Sequence, residues 1–127
     1  MTTLQQILVL ILAVGLLATS ALAVKGDKSA AEAAWPLIES GALVLDVGSA
    51  EEFSSGHIDG AVNIPHTDVE ALAAALGEDK SRTAVFYCGS GRRAGLVIDT
   101  LTEMGYTNLH NASGLEALEA TQPASSD

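Results

Sequence analysis

Short, nearly continuous apolar runs alternate along the chain with segments whose apolar positions recur at helical spacing. Ala42-Leu43-Val44-Leu45-Asp46-Val47 is such a run, typical of a strand buried on both faces. Ala61-Val62-Asn63-Ile64 is a second, stopped by Pro65. Residues 84–87 form a third, and Thr107-Asn108-Leu109 a short last one. Between them the spacing predicts a helix over 29–38, with Ser29 as its N-cap and Pro36 near its end. Ser49 and Glu52 stand at capping-box spacing and predict a helical turn. Gly56 and Gly60 bracket a turn around His57-Ile58-Asp59. Further helices are predicted over 68–76, with Gly77 at its C′ position, over 93–104, ended by Gly105, and over 114–120. Strands alternating with helices in this way imply an α/β sandwich with a mainly parallel sheet. Ligands of such sheets bind outside the carboxyl ends of the strands.

The two ends of the chain do not share this pattern. Ile7-Leu8-Val9-Leu10-Ile11-Leu12-Ala13-Val14-Gly15-Leu16-Leu17 has the length of a signal-peptide core, and Ala21 and Ala23 follow at A-x-A spacing. Residues 1–23 are read as a signal peptide cleaved after Ala23, although the segment before the apolar core has no Lys or Arg. An uncleaved membrane anchor is the alternative, with an apolar stretch short of the about 20 residues a full span needs. Both place the domain outside the cytoplasm, periplasmic or secreted in the first case and anchored in the second. Residues 24–120 are the domain, and 121–127 read as a disordered tail.

All 16 acidic and all 6 basic side chains follow Val24, so the domain carries the net charge of −10. That balance argues against nucleic acid and anionic membrane surfaces as partners. It also repels anions at long range, so any anion site is made locally. Arg92 and Arg93 are a third of the basic residues. The single cysteine, Cys88, excludes an internal disulfide.

Cys88 stands where the third strand ends, in Tyr87-Cys88-Gly89-Ser90-Gly91-Arg92-Arg93-Ala94, and a helical pattern follows at once. A loop of this kind turns its N–H groups inward and forms an anion-binding nest. Gly89 and Gly91 permit the backbone conformations, Ser90 adds a hydroxyl, and Arg92 and Arg93 supply planar charged forks. The helix N-terminus adds its dipole. These features favour thiolate over thiol, and the thiolate is the nucleophile. No His–Asp arrangement adjoins Cys88 to act as a base. The residues alone therefore point to a cysteine-dependent enzyme acting on a small anionic substrate.

Three stretches together resemble the single-domain rhodaneses, thiosulfate sulfurtransferases of the exported, periplasmic type. They are Leu45-Asp46-Val47, the segment from Phe53 through Gly56-His57-Ile58-Asp59-Gly60-Ala61-Val62-Asn63-Ile64-Pro65, and the Cys88 loop. Gly105-Tyr106-Thr107-Asn108-Leu109 with Gly114-Leu115-Glu116-Ala117 is a weaker fourth. The resemblance implies a three-layer sandwich whose mainly parallel sheet is flanked by helices. It implies that Cys88 attacks the outer sulfur of thiosulfate and carries it as a persulfide to a thiophilic acceptor, cyanide or a thiol. The amides of residues 89–93 would cradle that sulfur, and Arg92 foremost, with Arg93, would hold the sulfonate. The alternatives are a persulfide carrier with little thiosulfate turnover and an inert scaffold domain. Phosphatases that resemble this fold have a longer loop, with the arginine where Ala94 stands here. Gly48, Ala94, Ser113 and Leu118 depart from the family pattern, which commonly has arginine, serine, glycine and tryptophan there.

The remaining candidates read as structural. His57 lies in a turn motif and is expected to be a hydrogen-bonded structural histidine; His66 and His110 stand alone. No metal-ligand spacing is present, so neither a metal nor a cofactor is expected. Asp46 is expected to accept loop hydrogen bonds, Trp35 to pack, and Glu51, Glu52, Glu78 and Asp79 to be solvated helix ends. The chain is expected to act as a monomer.

Overall fold

The structure, a computed structural model, describes residues 23–124. Its elements run α1 (Lys28–Glu39), β1 (Leu43–Asp46), α2 (Ala50–Ser55), β2 (Val62–Asn63), α3 (Val69–Leu76), β3 (Ala84–Cys88), α4 (Arg92–Glu103), β4 (Leu109–Gly114) and α5 (Leu115–Thr121). The four strands form one sheet in the order β2-β1-β3-β4, with every pairing parallel. The α/β sandwich with a parallel sheet is therefore as the sequence predicts.

β3 is the spine of the sheet, and all five of its residues are buried. Its side chains alternate between two cores, as a strand covered on both faces requires. Ala84, Phe86 and Cys88 join Leu45, Val47, Leu72, Leu76, Val97, Leu101 and Tyr106 under α3 and α4. Val85 and Tyr87 join Val44, Ala31, Ala34, Trp35, Ala117 and Leu118 under α1 and α5. Each large side chain so buried contributes about 1.5–3 kcal/mol, and the two layers hold the carboxyl end of β3 rigid. Trp35 packs as expected, and its indole N–H donates to the Leu118 carbonyl at 3.1 Å.

Apart from shifts of a residue or so at element ends, the observed elements differ from the predicted ones in four places. Asp27, not Ser29, caps α1: its carboxylate accepts from the amides of Ser29 at 2.9 Å and Ala30 at 3.3 Å. One side chain serves two orphan donors there, which leaves Ser29 in the first turn. α1 runs through Pro36 to Glu39, and the amides of Ser40, Gly41 and Ala42 close its end on the carbonyls of Pro36, Ile38 and Leu37. The last strand begins at Leu109, where the predicted one ends, and runs through the polar residues His110-Asn111 to Gly114. Backbone pairing with β3, not apolar pattern, sets it; Ala112 is buried in the core under α1 and α5, and Ser113 and Gly114 lie close against the cysteine loop. Thr121, assigned to the tail by its sequence, ends α5, with its hydroxyl donating to the Ala117 carbonyl at 2.8 Å.

Among the described residues, no helix is long and apolar enough to cross a membrane. The segment read as a signal peptide lies outside the described residues up to its final Ala23, as do residues 125–127 of the tail.

Candidate active site

Parallel pairing of β1 and β3 brings Asp46 opposite Tyr87, so the loops after both strands open at the same edge of the sheet. The loop after β1 is stapled from below. Buried Asp46 accepts the Gly48 amide at 2.9 Å, and the Asn63 side chain donates to the carbonyls of Asp46 and Gly48, each at 3.0 Å. The loop acceptor role expected of Asp46 is thus observed. Gly48 suits the place, since a β-carbon there would lie 3.1 Å from the Asp46 carboxylate.

The loop after β3 wraps Cys88, which is 3% exposed. Gly91 closes it in the left-handed conformation, φ 93°, and donates its N–H to Cys88 Sγ at 3.0 Å. A β-carbon on Gly91 would stand 2.8 Å from the Ser113 Cα, so glycine is required for space as well as for conformation. Burial is the largest single influence on the thiol and pushes its pKa up. Hydrogen bonding from the amides of Ala94, Ser90, Gly91 and Arg93 acts against it, and together these bring Cys88 below its ordinary value. α4 begins at Arg92, directly behind the loop, and aims its N-terminus at the sulfur.

The two arginines part company. Arg92 is the first residue of α4 and is exposed. Arg93 forms a two-pronged pair with Glu52, Nη1 to Oε1 at 2.7 Å and Nη2 to Oε2 at 2.8 Å. Arg93 holds the Glu52 carboxyl down at about 2, helped by the Ser49 amide, which donates to Glu52 Oε1 at 3.0 Å. Glu52 therefore belongs to the capping box of α2 and to the active-site rim at once. From its sequence it read as a solvated helix end; the capping spacing was visible, but the partner 41 residues away was not.

The pair is largely exposed, so its contribution is that of a surface salt bridge, about 0.5–1 kcal/mol. Glutamine keeps the capping-box geometry while removing the charge. Glu52→Gln is expected to lower stability by that amount at neutral pH. Because the folded carboxyl is depressed, the stabilisation is full above its ordinary 4.5 and is lost as the pH falls towards about 2. Urea midpoints of the two proteins, compared at stepped pH, should therefore converge on acidification.

Two further groups close the rim. Ser113 is the one non-glycine residue with positive φ among those described, at 70°. Its hydroxyl donates to the Ser90 carbonyl at 3.3 Å and accepts from the Asp27 amide at 2.7 Å. Lys25 lies at the other end of that tether. A β-carbon on Gly89 would lie 3.3 Å from Lys25 Nζ, 3.4 Å from Arg93 Nη2 and 3.7 Å from Glu52 Oε2. Neither Lys25 nor Ser113 was singled out as a site residue from the sequence.

His57 is a structural residue as expected: its Nδ1 bonds the Phe53 carbonyl at 2.8 Å and its ring stacks on Phe53 at 3.7 Å. Among the described residues no three His, Cys, Asp or Glu side chains cluster to hold a metal.

The chain is similar to known proteins. The chain is 40% identical over 72 residues to thiosulfate sulfurtransferase PspE of Escherichia coli, covering 57% of this chain and 69% of that protein. It is 33% identical over 91 residues to the human thiosulfate:glutathione sulfurtransferase, covering 61% of this chain and 79% of that protein. Among solved structures it is similar to a rhodanese with anions from Escherichia coli, at 38% identity and a TM-score of 0.56, covering 61% of this chain and 91% of that one. The model of the rhodanese-like domain matches residues 29–119, a span that runs from α1 through the cysteine loop into α5, and on that match the chain belongs to the rhodanese-like domain family.

Proposed function

We propose that the protein is a sulfurtransferase that takes the outer sulfur of thiosulfate onto Cys88. The thiolate attacks that sulfur, the sulfur–sulfur bond breaks, and sulfite leaves with the bonding pair. Cys88 then carries a persulfide. A cyanide ion or a thiol attacks its terminal sulfur, and the Cys88 thiolate is restored, so no outside oxidant or reductant is needed. The amides of Gly89, Ser90, Gly91, Arg92 and Arg93 cradle the sulfur and Arg92 and Arg93 serve the sulfonate. The observation that carries this reading is the cysteine loop itself, whose Gly91 amide donates to Sγ at 3.0 Å. Similarity to thiosulfate sulfurtransferases of Escherichia coli and human supports the donor, and the human relative supports a thiol as acceptor. A location in the periplasm or outside the cell fits the leader-like first segment.

The engagement of Arg93 by Glu52 favours a second reading, a persulfide carrier that turns over slowly with thiosulfate. Intact-protein mass spectrometry separates the two. Exposure to thiosulfate should add one sulfur atom to the protein, and cyanide should remove it as thiocyanate. A folded, reduced sample that gains sulfur from a protein persulfide but none from thiosulfate would establish the carrier instead. The loading rate should rise with pH and level off below the ordinary thiol value of 9.0, because the Cys88 pKa is lowered. A plateau only above that value would count against amide activation of the sulfur.

A further inference from the structure

We propose that Lys25 is a specificity-determining residue of the same site, a further cation that joins the arginines in receiving the anionic end of the sulfur donor, and that Ser113 positions it there. The proposal takes the identity of the donor from the reading above; the anion site itself stands on geometry. A domain with net charge −10 repels an anion until local cations take over. Arg93, the arginine whose guanidinium reaches the Gly89 face of the loop, already holds a carboxylate in both prongs. An anion that used it alone would have to displace Glu52. Lys25 makes no salt bridge among the described residues, and its Nζ converges with Arg93 Nη2 on one point above Gly89, within 3.3 and 3.4 Å. Glu52 Oε2 stands 3.7 Å from the same point but is already held by Arg93, so the cluster keeps the Lys25 charge uncompensated for an incoming anion. A donor whose reacting sulfur meets Cys88 inside the loop presents its charged end outward, towards this point.

Lys25 lies on a segment without helix or strand, so its placement needs a cause. Ser113 supplies it. One hydroxyl joins the Asp27 amide, two residues after Lys25, to the Ser90 carbonyl in the cysteine loop. Gly26 passes so close that a β-carbon there would lie 2.7 Å from that hydroxyl oxygen. Asp27 is fixed again as the cap of α1. The segment carrying Lys25 is thus tied to the loop it faces through Ser113, 86 residues along the chain from Asp27.

Alkylation of Cys88 in the full chain tests the proposal without requiring turnover. Iodoacetate and iodoacetamide both lose iodide to the thiolate, but only the first is an anion. The ratio of their rates reads the positive potential at the loop mouth, and thiolate content cancels. Lys25→Ala should lower that ratio about fivefold, the effect of one exposed charge at about 4 Å. Lys25→Arg should restore it, and raising the salt should bring the wild-type ratio down to that of Lys25→Ala. Ser113→Ala should lower the ratio in the wild type and have no further effect in Lys25→Ala, which a purely structural role for Ser113 would not produce. With thiosulfate, Lys25→Ala should raise KM more than it lowers kcat. An unchanged alkylation ratio in Lys25→Ala overturns the proposal. A wild type that shows the ratio effect yet takes no sulfur from thiosulfate overturns the donor assignment and leaves the anion site standing.

Discussion

Cys88→Ser is expected to fold as the wild type does and to take up no sulfur from thiosulfate. Sγ stands at the centre of a ring of amides, and the serine oxygen keeps an acceptor there for the Gly91 N–H, which otherwise loses its 3.0 Å partner. Removing the acceptor altogether, as in Cys88→Ala, leaves a buried donor unpaired at a cost of about 1–3 kcal/mol, so the alanine variant confuses chemistry with stability. Serine separates them. The same amides that lower the thiol are too weak to ionise a hydroxyl, so the nucleophile is lost while the loop stays closed. The intact mass after thiosulfate should show no added sulfur, and thiocyanate should not form above the rate of a protein-free blank. A Cys88→Ser protein that still gained sulfur would end the persulfide mechanism, since no other cysteine is present to carry it.

The loop could be read from its residues because its chemistry is local. Strand end, glycines, arginines and helix start all fall within a few positions, and backbone geometry fixes what they can do. The apolar runs of β1 and β3 were legible for a similar reason: a strand covered on both faces has to be apolar throughout. The capping box of α2 and the glycine after α3 were legible as short-range signals. What the sequence hid was set by distance. β4 is polar in its first half and is held by pairing with β3, so no periodicity marks it. Glu52 finds Arg93 only because parallel strands bring both loops to one edge. Ser113 looked like a departure at a place where glycine is usual, and its φ of 70° shows the conformation that glycine would suit. Its hydroxyl has a partner on each side, neither of them near it in the chain. Of the two arginines, the sequence favoured Arg92 for the sulfonate, whereas Arg93 is the one tied to the rim.

Gly114→Ala is expected to damage fold and site together. Gly114 pairs with Cys88 across the β3–β4 register, just past an irregularity in the ladder. Its own backbone is ordinary, φ −125°, so an alanine meets no conformational penalty. Space is the obstacle. A β-carbon there would overlap the Gly89 carbonyl oxygen, with the Gly89 carbonyl carbon at 2.9 Å and the Ser90 Cα at 3.3 Å. All three are backbone atoms, and none can rotate away as a side chain could. Either β4 moves off β3 or the loop shifts around the sulfur. Overpacking of this kind costs about 1–3 kcal/mol, which for a domain of this size lowers Tm by roughly 5–20 °C. If the loop yields, its amides leave Sγ, burial then dominates, and the Cys88 pKa climbs. The pH at which Cys88 alkylation is half-maximal should therefore rise along with the fall in Tm. Gly41→Ala is the matching control: φ there is 96°, but nothing lies within 4 Å of a β-carbon. It should cost about 1–2 kcal/mol in backbone strain and leave the alkylation profile where it was. A Gly114→Ala protein with the melting temperature and alkylation profile of the wild type would mean that β4 does not press on the cysteine loop. The loop amides would then owe their positions to Gly91 and the start of α4 alone.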